Sequence, residues 1–137
     1  MGVALDRTAL TSHYGHMSDP RWLYRQIIDA MVVECAQGQG QVSAHRVRAG
    51  VWSVDAEEDP GSLPDQHAIN LILNKLDSKE RELLARLIAD AFSSGVFNAL
   101  NVLHVAAVEP FQLGYDGTPT DDFLGRLEGL EWPQSMT

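Results

Sequence analysis

Cysteine is nearly absent from this chain: Cys35 is the only one in 137 residues. An intramolecular disulfide is therefore impossible, and a reducing compartment, the cytoplasm, is expected. Basic residues are outnumbered, ten Lys and Arg against nineteen Asp and Glu, which leaves a formal charge of −9. Such a surface repels phosphate backbones, so nucleic acid is not an expected partner. No basic segment followed by an apolar one opens the chain, so no secretory signal is expected. Internal repeats and low-complexity tracts are missing. So is any catalytic signature: no nucleophile, base and orienting carboxylate recur at a recognisable spacing.

The most telling absence is local. Between Asp90 and Glu109 lie eighteen residues, 91–108, without one Asp, Glu, Lys or Arg. By length this stretch sits at the edge of a membrane span. Ser93, Ser94, Asn98, Asn101 and His104 punctuate it, and protein surroundings tolerate such groups better than lipid does. It reads as a helix enclosed by protein, and no membrane association is expected.

The remaining composition is ordinary. A 45% hydrophobic share over this length supports one core without staples. Residues 1–17 lack periodicity and are expected to be a poorly ordered N-terminal segment. Residues 18–137 are expected to form a single helical domain.

The first helix is expected from Pro20 to Gln37. Asp19 suits the cap and Pro20 the first turn. Leu23, Ile27, Met31 and Cys35 recur every four residues, flanked by Trp22, Ile28 and Val32. Arg25 and Asp29 are placed to pair on the outer face. Gly38 and Gly40 read as its end. Residues 39–64 read as irregular, with Val47–Val54 as a short strand or extended wrap anchored by Trp52. A second helix follows over Asp65–Leu76, with Ile69, Ile72, Leu73 and Leu76 as its apolar stripe.

Asp77 and Glu80 form a capping box for a third helix running to about Val108. About 31 residues would span about 47 Å, long for a globular helix. Its apolar face also rotates. Leu83, Leu84, Leu87, Ile88 and Ala91 share one side in the first arm, and Phe92, Val96, Ala99, Leu103 and Ala107 another in the second. A straight helix facing one partner cannot bury both. A bend, a break or a change of packing partner is expected at Ser93-Ser94-Gly95. A last short helix is expected over Asp121–Glu128, capped by Thr120 and closed at Gly129, with Phe123, Leu124 and Leu127 inward. Trp132 should fold back on the core.

Several side chains invite a chemical reading. His13 and His16 have metal-pair spacing, but their segment has no helical pattern and no matching carboxylate. His45 with Arg46 and Arg48 could meet an anion, although solvated loop residues explain them. Cys35 lies on an apolar face, where a thiol is inert. Asp122 and Arg126 pair naturally at i,i+4. Ser94, Asn98 and Asn101 stack along the second arm, with His104 beside them. Enclosed groups of this kind need hydrogen-bond partners, supplied by the fold, by a second copy or by a ligand.

Two stretches resemble a family of small uncharacterised bacterial proteins. One is Glu80-Arg-Glu-Leu-Leu-Ala-Arg-Leu87 followed by Gly95-Val-Phe-Asn-Ala-Leu100. The other is the ending Asp122-Phe-Leu-Gly-Arg126-Leu-Glu-Gly129-Leu-Glu-Trp132-Pro133, an Asp-Phe-x-x-Arg-x-x-Gly-x-x-Trp-Pro pattern. The resemblance covers about residues 20–133 and implies a compact helical domain. It implies no activity.

The reading is therefore an all-α bundle of about four helices with a long bent or broken third helix. The leading expectation is a non-enzymatic protein-interaction domain, homodimeric through the 92–107 arm or bound to another protein, a basic one being the natural match. The alternative is a small-ligand binder or enzyme using the polar cluster around His104. The candidate ligand or interface residues are Ser94, Asn98, Asn101, His104, Asp122, Arg126 and Trp132. No catalytic residue, metal or cofactor is assigned.

Overall fold

The computed structural model describes residues 19–112 and 117–134. Among these the helices are α1 (Pro20–Ala36), α2 (Gln39–Ala49), α3 (Val54–Glu58), α4 (Pro64–Lys75), α5 (Ser78–Val105) and α6 (Pro119–Leu127). The fold is all-α, as expected. The N-terminal segment 1–17, with His13 and His16, lies outside the described residues.

The segment 39–64 departs from the expectation. No strand or extended wrap forms at Val47–Val54; α2 occupies Gln39–Ala49 and α3 occupies Val54–Glu58. With α1 they make one helical stretch over 20–58, interrupted only at 37–38 and 50–53, so four helical stretches follow along the chain. Gly40 does not end a helix. It is buried in the first turn of α2 and stacks with Ala44 and Val47 at i, i+4 and i+7. Gly50 is the real stop, at φ +74°, with its N–H and that of Val51 closing on the Val47 and Arg46 carbonyls. A Cβ there would also lie 2.5 Å from the Arg81 guanidinium.

The capping box at α5 forms as expected. Glu80 N donates to Asp77 Oδ1 at 2.8 Å, and Asp77 N donates to Glu80 Oε1 at 3.0 Å. Helix α5 then runs unbroken for 28 residues. It stops three residues early, at Val105, where Ala107 turns left-handed and Val108 N donates to the Leu103 carbonyl. By length and hydropathy α5 could cross a membrane. Helix α6 begins two residues early, because Thr118 rather than Thr120 caps it, accepting from Asp121 N at 3.2 Å. Gly129 closes it at φ +89° as expected.

Two compact units divide the chain, one made of the residues up to Ala36 together with Gly95 onward, the other of Gln37–Ser94. The boundary falls inside α5 at Ser94–Gly95, where the change of packing partner was expected.

In the first unit α1 packs on α6. Tyr24, Ile28, Cys35, Leu100, Phe111 and Phe123 form its buried cluster, with Val96, Phe97 and Leu103 of α5 against it. The Tyr24 ring is tilted against Phe111 at 5.9 Å and against Trp132 at 6.2 Å. Leu23 and Leu124, expected inside, are exposed.

In the second unit Ala44, Val47, Leu73 and Ala85 form a cluster of smaller side chains, with Trp52, Leu84 and Ile88 packed on it. Leu83, Leu87 and Ile72 were expected inward and are exposed; Ala85 and Asn70 take the inner positions. Asn70 satisfies itself there, so its polarity costs little. Its Oδ1 accepts from Trp52 N at 2.7 Å and Ser53 N at 3.1 Å, and its Nδ2 donates to the Ser53 carbonyl at 2.7 Å.

Candidate functional site

The C-terminal ending converges on α1 within the first unit. Arg126 Nε donates to Asp29 Oδ1 at 2.7 Å, and Trp132 Nε1 donates to Asp29 Oδ2 at 3.0 Å. One carboxylate thus holds a helix and the segment beyond it. Arg126 Nη1 also donates to the Leu130 carbonyl at 2.7 Å. The Trp132 ring carries two guanidiniums, Arg25 at 4.9 Å and Arg126 at 5.4 Å from its centroid. Both terminal nitrogens of Arg25 reach the Pro133 carbonyl at 3.4 Å. The Tyr24 hydroxyl donates to Asp122 Oδ2.

Neither local ion pair expected from spacing is made. Arg126 takes Asp29 instead of Asp122, and Asp29 takes Arg126 instead of Arg25. Exposed helix pairs are worth about 0.3–0.5 kcal/mol. A partner on another element that also satisfies an indole N–H outweighs that. Asp122, Arg126 and Trp132 are therefore brought together around Tyr24 and Asp29, neither of which is among the candidate site residues of the sequence. The Asp29 signal was present but misassigned, since its expected partner was one turn away on its own helix. A cleft of about 180 Å³ opens beside this network, lined by Asp122, Arg126 and Trp132 among others.

The second arm of α5 is arranged differently. Ser94, Asn98 and Asn101 are exposed, as are Val102 and Val105. The expected enclosure by protein is thus not met among the described residues. The reason is rotation: Val96, Phe97, Leu100 and Leu103 turn inward and carry the arm's burial, leaving the Asn-Val face outward. His104 is half-buried. Its Nδ1 lies 2.7 Å from the Phe111 carbonyl. A carbonyl only accepts, so Nδ1 carries the proton and the ring supports the turn that buries Phe111.

The second unit holds a larger cleft, about 640 Å³, with His45, Arg46, Trp52 and Gln66 among its lining residues. Arg46 lies over the Trp52 ring at 5.7 Å. His45, Arg46 and Arg48 sit on a helix rather than the expected loop. Arg48 is engaged by Glu82 at 2.7 Å, with Arg86 3.6 Å from the same carboxylate. The Arg48 hydrogen bond is the main cause holding the Glu82 carboxyl below its ordinary range; the charges of Arg48 and Arg86 add to it and burial opposes.

Among the described residues no group of three or more His, Cys, Asp or Glu is placed to hold a metal ion. Cys35 is a buried thiol in the first cluster.

A family model described as a family of unknown function, DUF6547, matches residues 17–134. The chain belongs to that family. No curated protein and no solved structure matches it. The DUF6547 match spans every helix from α1 to α6, so both units, the Asp29 network and the larger cleft lie within the family's extent.

Proposed function

We propose that this DUF6547 chain is a small protein-interaction domain that pairs with a second copy through the outward face of the second arm of α5. The observation that carries the reading is Val102 at 65% and Val105 at 76% exposed, on an arm with no charge. Exposed valines grouped on one helix face mark an interaction surface.

A second copy suits this face better than a charged partner does. In a two-fold interface the same patch meets itself. Carboxylates would repel across such an axis, and the chain carries −9 overall. The arm is where that repulsion is weakest. Asn98 and Asn101 each offer both donors and an acceptor, so an amide can meet its own copy without leaving a group unsatisfied. The same polar groups, with Ser93 and Ser94, weigh against lipid as the occupant.

Light scattering at about 50 µM tests the reading, because pairing follows protomer concentration. Twice the chain mass is expected for the native protein. Val105→Asp should return it to the monomer mass with its helical circular dichroism unchanged. A native chain that stays monomeric across this range would overturn the proposal.

A further inference from the structure

We infer that the cleft in the second unit binds a small zwitterion, one carboxylate and one ammonium on an apolar body, as in a free amino acid with an aliphatic side chain. Its volume of about 640 Å³ lies within the range of small-molecule sites. Its floor is preformed. Asn70, 1% exposed, fixes the Trp52-Ser53 backbone with three hydrogen bonds, so the indole is positioned before anything binds. A site that is ordered in advance loses less on binding.

The charges of the lining residues decide the ligand class. Arg46 stands over the indole and, among the described residues, forms no ion pair, whereas Arg48 is taken by Glu82. A guanidinium in that position offers paired donors to one carboxylate. Asp55, from α3, also lines the cleft and engages no described side chain. Glu57, Glu58 and Asp59 follow it in the chain. That local negative potential disfavours phosphates and dicarboxylates and favours an ammonium. Val51 and Val54 with Trp52 supply apolar surface in the same cleft. His45 and Gln66 add uncommitted polar groups at the same opening. A cation, an anion and an apolar floor in one cleft match a zwitterion better than an anion or a hydrocarbon.

The test is a nitrogen-proton NMR titration of the full chain with L-leucine, up to about 10 mM. The indole N–H of Trp52 should shift saturably, while that of Trp132 stays still. Two truncated probes, 4-methylpentanoate without the ammonium and 3-methylbutylamine without the carboxylate, should each bind about tenfold more weakly, the loss expected for one charged hydrogen-bonding group. Arg46→Gln should weaken leucine about tenfold and leave the amine probe unchanged; Asp55→Asn should do the converse with the carboxylate probe. No saturable shift at Trp52 would overturn the inference. Equal binding of all three probes would do so too, because apolar contact alone would then explain it. So would inorganic phosphate binding more tightly than leucine, which would make the cleft an anion site. The probe series uses the native chain, so its outcome is independent of whether either variant folds.

Discussion

Asp29 and Asn70 each organise one of the two units, and they settle their surroundings in opposite ways. In the first unit Asp29 is a charged side chain that binds other side chains, Arg126 and Trp132. Asp122, Arg126 and Trp132 of the C-terminal ending are engaged inside the unit, and Trp132 is covered by two guanidiniums. In the second unit Asn70 is neutral and binds backbone only, at Trp52 and Ser53. Arg46, Asp55 and Gln66 of that unit line a cleft. The cores differ in the same sense. Tyr24, Phe111 and Phe123 are the large rings of the first, while the second is built on Ala44, Val47, Leu73 and Ala85. A distinctive sequence ending thus reports architecture here, and the less distinctive segment carries the uncommitted chemistry.

If the first unit depends on its aromatic core, Phe123→Ala should break it most. The ring is fully buried between α6 and the cluster around Tyr24. Loss of its transfer energy and the cavity left behind should cost about 3–5 kcal/mol, read from the urea midpoint. Amide exchange should quicken at residues 24–35 and 97–103. A loss below about 1 kcal/mol would mean the unit repacks easily and the contrast between the two cores is wrong.

The two organising residues can then be set against each other. Asn70→Ala strips the acceptor from two backbone N–H groups at a site that is fully buried, and should cost about 2–3 kcal/mol. The Trp52 environment should change with it, visible in near-ultraviolet circular dichroism. Asp29→Asn keeps the size and one acceptor, and its pairing with Arg126 is partly solvated, at 34% and 25% side-chain exposure. About 1 kcal/mol is expected there. The reverse order would place the main polar anchor in the first unit.

What was legible in the sequence was local. The Asp77–Glu80 capping box, the stop at Gly129 and the partner change at Ser94–Gly95 all follow from a few neighbouring residues and the helix period. The capping energy lies within one turn, so nothing distant can override it. Helix α2 was not legible, because its inner face is Gly40, Ala44 and Val47. Small residues give a weak periodic signal, and a glycine that permits close packing looks the same as one that ends a helix. Asn70 was missed for a related reason, since a polar residue at an inner position is visible only once the backbone it satisfies is known. The Asp29–Arg126 and Tyr24–Asp122 pairings join residues 97 and 98 apart, and no spacing rule reaches that far.

The gentlest probe of the comparison is acid. The second unit's Arg48–Glu82 pair is half-exposed, with Arg48 Nε donating to Glu82 Oε2 at 2.7 Å and Nη2 to Oε1 at 3.3 Å. Because Arg48, chiefly through that hydrogen bond, holds the Glu82 carboxyl below its ordinary range, the pair stabilises the fold at pH values above that range. The contribution fades as pH falls through the lowered folded value, where the carboxylate takes up its proton. Arg48 stays charged throughout, its own affinity for the proton raised mainly by the same hydrogen bond. Glu82→Gln should therefore lower the urea midpoint slightly at about pH 7 and have a smaller effect at about pH 3. High salt should shrink the neutral-pH difference, since solvent and ions reach both side chains. An effect as large at pH 3 as at pH 7 would show that Glu82 acts through packing on α5 rather than through charge, and the second unit would then have no electrostatic anchor to set beside Asn70.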